Sequence, residues 1–203
     1  MKIILIVLLT VFFIFGIANA TPQISISTNR PTYEYGQNLS FIIKVSEVTG
    51  DLATLQIIDQ SGQSSSPIYD KISNPISNIT SPFPFYKTTF SPGTYYISIQ
   101  YSGSNATTSF QLIDNGNIAI PPEFKTVADS WSKGQTSDRL FAADIQTFIQ
   151  YGIIKINNYQ EKNTVFFPSW FKNDATWWAN GSISDNEFGL AIKYLVDSKI
   201  IQV

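Results

Sequence analysis

The sequence predicts a multi-domain chain, an all-β sandwich followed by an all-α pair of helical hairpins. Two observations carry this. Apolar residues alternate with a period of two as far as about Asp114, and beyond Pro121-Pro122 they recur with a helical period. Shifting the chain by 47 residues also lays residues 121–156 on residues 168–203 without a gap, which marks a duplicated unit.

In chain order, residues 1–20 come first. Met1-Lys2, an apolar run from Ile3 to Ala18 and Ala18-Asn19-Ala20 have the charge, apolar core and small-residue cleavage site of a secretory signal. The run is shorter than the roughly twenty residues that span a bilayer, so cleavage before Thr21 is expected rather than retention as an anchor. No later stretch approaches spanning length. Lys2 leaves with the leader, so twelve basic and fifteen acidic residues remain, a mature charge of −3.

Residues 21–114 read as an immunoglobulin-like sandwich. Leu39, Phe41, Ile43 and Val45 share one face, and Ala53, Leu55 and Ile57 repeat the pattern. Tyr95, Ile97, Ile99 and Tyr101 do the same, followed after Ser102-Gly103-Ser104 by Ala106, Thr108, Phe110 and Leu112. Further strands are expected at residues 24–27, 67–72 and 85–90, giving seven, with turns at Pro31, Gly36, Gly50-Asp51, Ser61-Gly62, Pro75 and Pro92-Gly93. The chain contains no Cys, so this sandwich cannot use the disulfide of antibody domains. Residues 115–120 read as a linker.

Residues 121–156 form the first hairpin repeat, and residues 157–203 a spacer and the second. The first helix of each opens near a Pro, carries Phe124, Ala128 and Trp131 or Phe171, Ala175 and Trp178, and stops at Gly134 or Gly181. The second starts at Ser137-Asp138 or Ser184-Asp185, where Ser184 and Glu187 have capping-box spacing. Its apolar stripe is Phe141, Ile145, Phe148 and Ile149, matched by Phe188, Ile192, Leu195 and Val196. Two such units cannot bury their stripes separately. Either they close on each other as a four-helix unit, or the sandwich, another protomer or a partner covers an edge.

With 43% hydrophobic and 14% charged residues the composition is globular, and the scattered charges form no basic patch for nucleic acid. His and Cys are both absent, which excludes Ser-His-Asp and thiol chemistry and the common zinc and copper sites. No cofactor, metal or catalytic residue is expected. Asp138 and Asp185 hold matching positions but read as helix-start acids rather than a catalytic pair. Asp114-Asn115-Gly116-Asn117 offers oxygen ligands yet lacks the rest of a calcium loop, so it reads as a turn.

Trp170 and Trp177 differ from the core positions because the first copy has Glu123 and Ser130 in their place. Seven residues apart, they lie on one side of the helix, about 100° from its apolar stripe. Packing of this strip against the first hairpin or the sandwich competes with its use as a surface for a partner protein or a glycan. In an exported chain four sequons, at Asn38, Asn78, Asn105 and Asn180, are candidate glycan acceptors, Asn38 the weakest because a strand follows it directly.

The run Pro168-Ser-Trp-Phe-Lys-Asn-Asp-Ala-Thr-Trp-Trp-Ala-Asn-Gly-Ser-Ile-Ser-Asp-Asn-Glu-Phe188 resembles a helical repeat widespread in exported proteins of ammonia-oxidising archaea. Residues 192–201 are similar to that repeat's second helix and closing Ile pair, and Pro92-Gly-Thr-Tyr-Tyr-Ile-Ser-Ile-Gln-Tyr101 with Phe110 looks like the last hairpin of the immunoglobulin-like domains that accompany it. The first copy departs from the pattern at Glu123, Ser130, Thr136 and Leu140. The resemblance implies an extracellular, cell-envelope setting and no assigned activity. The expected function is therefore non-enzymatic docking or adhesion to an envelope or surface protein. Its rivals are a carbohydrate-binding module using Trp170 and Trp177 and, more remotely, a carboxylate-based hydrolase.

Overall fold

A computed structural model describes residues 21–161 and 164–203; the expected secretory leader lies outside them. Eight strands and four helices follow in order: β1 (Ile24–Thr28), β2 (Thr32–Glu34), β3 (Asn38–Val45), β4 (Leu52–Asp59), β5 (Ile68–Lys71), β6 (Ile76–Pro84), β7 (Gly93–Tyr101), β8 (Ser104–Ile113), α1 (Glu123–Ser132), α2 (Asp138–Gln150), α3 (Phe171–Ala179) and α4 (Asp185–Asp197).

The strands form two sheets, β1-β3-β6 and β2-β8-β7-β4-β5. The chain changes sheets at Arg30-Pro31, so β1 pairs antiparallel with β3 while β2 pairs parallel with β8. One sheet has three antiparallel strands around β3, and the other is centred on the antiparallel run β8-β7-β4, an arrangement of the immunoglobulin-sandwich kind. The alternating residues identified above face inward: Leu39, Phe41, Ile43, Val45, Leu55, Ile97, Ile99, Phe110 and Leu112 are all buried. A tyrosine corner completes the pattern, for the Tyr95 hydroxyl donates to the Ser91 carbonyl at 2.7 Å just ahead of the buried Ile97.

Two parts of the strand reading are corrected. Residues 85–90 are not a strand: Thr89 N–H and Phe90 N–H both donate to the Tyr86 carbonyl, making a turn. The strand lies earlier, as β6, and it is an edge strand. Pro82 and Pro84 disguised it, but an edge tolerates proline because one row of its N–H groups needs no ladder partner. Strand β2 was also missed, since three residues after a proline show too little alternation to read.

In the helical half both first helices end as expected. Gly134 and Gly181 adopt φ of 73° and 80°. Around Gly134, its own N–H returns to Trp131 O and that of Gln135 to Ser130 O; around Gly181 the matching bonds run to Trp178 O and from Ser182 to Trp177 O. These are Schellman closures, which a side chain at that φ would strain. Ser137 and Ser184 cap α2 and α4, and Ser184 and Glu187 complete the capping box.

The two copies share one core. Phe171, Ala175, Trp178, Phe188 and Ile192 pack with Ala128, Trp131, Phe141, Ile145 and Phe148 in a single buried cluster. Trp131 stacks on Phe141 at 4.1 Å and Trp178 on Phe188 at 4.3 Å. Across the copies, Lys125 lies over the Trp178 ring and Lys172 over the Trp131 ring, each at 5.5 Å. The exchange is reciprocal, as a pseudo-twofold relation between copies requires.

The join between the halves is not a free linker. Ala119 is buried in the sandwich core and Ile120 in the helical core, and Ile118 packs on Gly189, where a Cβ would come within 2.6 Å of its side chain. Asp114 fastens the same seam by ion pairs with Lys87 at 3.0 Å and Lys155 at 2.8 Å, and Lys87 also donates to Gly152 O at 2.8 Å. Burial would raise the Asp114 carboxyl, but the two lysines outweigh it and hold it at about 2.

Candidate functional site

Helix α3 is pinned by Phe171, Ala175 and Trp178, all fully buried. That fixes which of its faces looks outward. Trp170, at the helix start, remains 48% exposed and Trp177 49% exposed, so the strip is a surface feature rather than part of the shared core. Seven residues along a helix separate the two positions by about 10.5 Å. Trp170 is held edge-on to Phe171 at 6.1 Å, and the Trp177 carbonyl accepts the closing N–H groups of Ser182 and Ile183.

Asp174 lies between the two indoles, four residues after Trp170 and three before Trp177. Sequence reasoning passed over it, although this spacing puts it on the same side of a helix. Burial pushes its carboxyl above the usual range, and among the described residues it makes no hydrogen bond or ion pair. The first copy has Val127 at this position, so indole, acid and indole together belong to the second copy alone.

The other acids of the helical half serve the fold. Asp138 accepts the Trp131 indole N–H at 2.7 Å and Asp185 that of Trp178 at 2.8 Å. Asp185 also accepts the Ile120 N–H at 2.9 Å and pairs with Lys125 at 3.4 Å. The expectation that these acids act as caps is therefore refined: the serines cap, and the carboxylates satisfy indoles buried with their donors inward. Asp144 is a second residue that sequence reading missed. One of its oxygens is buried without a partner, and burial raises the carboxyl to about 6, where the second copy has Ala191. Among the described residues no group of three or more acidic side chains gathers as a metal site. The stretch from Asp114 to Asn117 is a turn, with Gly116 N–H on Asp114 Oδ1 and Asn117 N–H on Asn115 Oδ1.

The four sequons fall in different settings. Asn38 begins β3, and its Nδ2 donates to Ser81 O at 2.8 Å. Asn78 lies exposed on the edge strand β6 and Asn105 exposed in β8. Asn180 caps the C-terminus of α3, and its Oδ1 accepts from Ser182 Oγ at 2.6 Å, which leaves its amide nitrogen at the surface. No described helix is long and apolar enough to cross a membrane.

No protein-family model matches the chain, and no curated protein does. Among solved structures it is similar to trypsin-activated alpha-2-macroglobulin from Escherichia coli, at 18% identity over 48% of this chain and 7% of that one, with a TM-score of 0.37. It is also similar to the M1 domain of titin, at 10% identity over 48% of this chain and 97% of that domain, TM-score 0.30. The PKD domain of an M14-like peptidase from Thermoplasmatales archaeon SCGC AB-540-F20 matches at 14% identity over 45% and 91%, TM-score 0.26. The chain thus spans 7% of the macroglobulin. Likenesses this slight say nothing about function; the strand order and the tyrosine corner define the sandwich.

Proposed function

We propose that this is a secreted or cell-envelope interaction protein without catalytic activity, in which an immunoglobulin-like sandwich carries a duplicated helical module that docks a surface protein. The observation that carries the reading is the half-exposed pair Trp170 and Trp177 on the outer face of α3, a helix that Phe171, Ala175 and Trp178 anchor in the core from its other face. Tryptophan is favoured at binding hot spots, where its ring offers a large contact area with a polar handle. The resemblance of residues 168–188 to exported archaeal repeats supports the envelope setting, as does the leader at residues 1–20. Structural roles for Asp114, Asp138 and Asp185 support recognition over carboxylate catalysis. In that setting Asn78, Asn105 and Asn180 are the favoured glycan acceptors, because the Asn38 amide is engaged.

The test is affinity capture from envelope extracts with the wild-type chain and the Trp170→Ala/Trp177→Ala variant. One partner retained by the first and lost by the second, at unchanged melting temperature, supports docking; equal capture by both removes the strip from consideration. A carbohydrate-binding module is the second reading, favoured by two indoles set two helical turns apart. Quenching of tryptophan emission by neutral oligosaccharides would select it.

A further inference from the structure

Between its two copies the helical half contains a completed example of the chemistry that the exposed strip offers. Lys125 extends over the Trp178 ring at 5.5 Å and pairs with Asp185 at 3.4 Å, while Asp185 receives the Trp178 indole N–H at 2.8 Å. Lys172 lies over Trp131 in the same way, and that indole donates to Asp138 at 2.7 Å. In both cases an ammonium supplied by one copy meets the face of an indole supplied by the other, and at Trp178 the same ammonium also pairs with the carboxylate that the indole N–H touches. The electron-rich ring face and the neighbouring anion attract the same cation, so the two interactions reinforce one another.

On the outer face of α3 the same set recurs, with indoles at 170 and 177 and a carboxylate at 174, but with no described cation of this chain paired to that carboxylate. The nearest lysine in sequence, Lys172, is committed to Trp131. Burial pushes the Asp174 carboxyl up, the response of an acid that has lost water without gaining a positive neighbour. The chain as a whole is acidic, with a pI near 5.0, so its long-range field also favours a basic partner.

We propose that Trp170, Asp174 and Trp177 receive a lysine- or arginine-bearing segment of a partner protein, the cations stacking on the indoles and pairing with the carboxylate between them. This rests on the docking reading above and supplies the chemistry of what docks. Spacing adds a preference: the indole positions are about 10.5 Å apart along the helix. Two basic residues three apart in a polyproline-II segment project from one side about 9 Å apart. An extended basic segment of that spacing therefore reaches both rings.

The experiment titrates the full chain with an octapeptide carrying two lysines three residues apart among prolines, and with the same peptide bearing norleucine at both positions. Tryptophan emission and calorimetry report binding to wild type, to Trp170→Ala/Trp177→Ala and to the near-isosteric Asp174→Asn. Saturable binding of the lysine peptide is expected, weakened about tenfold or more in either variant. Affinity should also fall between about 50 and 200 mM salt, as exposed charge pairs are screened. Equal binding of the norleucine peptide, or undiminished binding to Asp174→Asn, overturns the proposal. So does binding of neutral oligosaccharides that Asp174→Asn leaves intact, which would assign the strip to glycans. If the lysine peptide is inert while envelope capture remains dependent on Trp170 and Trp177, the basic ligand is wrong and docking stands. If Trp-dependent capture also fails, both fall.

Discussion

The duplication provides its own control for the role of the carboxylates at the starts of α2 and α4. Asp138 and Asp185 occupy matching positions and both accept an indole N–H, at 2.7 and 2.8 Å, from a tryptophan that is almost fully buried. Asp185 does more, since it also accepts the Ile120 N–H and pairs with Lys125. Replacing Asp138 by Ala orphans one buried donor, for about 1–3 kcal/mol, and removes an acid from a helix start, for about 0.3–1 kcal/mol. Replacing Asp185 orphans a second donor on the 2% exposed Ile120 and releases a partly exposed lysine, which contributes less than about 1 kcal/mol. Asp185→Ala should therefore cost about 2–8 kcal/mol and exceed Asp138→Ala by about 1–4 kcal/mol. All four tryptophans lie between residues 131 and 178, so their emission in a urea titration follows the helical half alone. With a urea slope of about 1–3 kcal/mol per molar, the two midpoints should differ by roughly 1 M. Equal shifts would refute the account, as would an Asp185→Ala protein as stable as wild type.

Three further predictions follow from single residues. Asp144→Ala, which copies Ala191, should stabilise the helical half by about 1 kcal/mol at pH 7, a figure reduced from the full shift because the side chain is partly exposed. Its folded carboxyl titrates at about 6, above its ordinary range, so the wild type loses stability as pH rises from about 4 to 6; the gain in the variant should grow over that window and be flat above it, as denaturation at several pH values will show. Gly181→Ala should cost about 1–2 kcal/mol although nothing lies within 4 Å of the new Cβ, because only the φ of 80° opposes it; the same urea titration measures this. Tyr95→Phe should lower the melting of the sandwich by an amount equivalent to about 1 kcal/mol, read by calorimetry, through loss of the bond to Ser91 O.

The helical half was largely legible in the sequence. The 47-residue shift picks out the core pairs, and the glycines and serines that end and begin its helices act through local backbone chemistry that short-range sequence encodes. The sandwich was legible where inward faces alternate, as in β3 and β7, and failed at β6, whose proline-bearing edge shows no buried stripe. The tyrosine corner left a signal, Pro92-Gly93-Thr94-Tyr95, but its meaning depends on a hydrogen bond that closes only in the folded turn.

The candidate site divides along the same line. Sequence alone determined that Trp170 and Trp177 share a side of one helix and that the first copy lacks them, because helical geometry and the duplication are both local facts. Only tertiary structure decided that this side is half open to water, that Lys125 and Lys172 are exchanged between copies, and that Asp114 joins the two halves through Lys87 and Lys155. Those outcomes depend on which surfaces meet across separations of tens of residues, and periodicity reports the angle of a side chain about its own helix but not what stands opposite it.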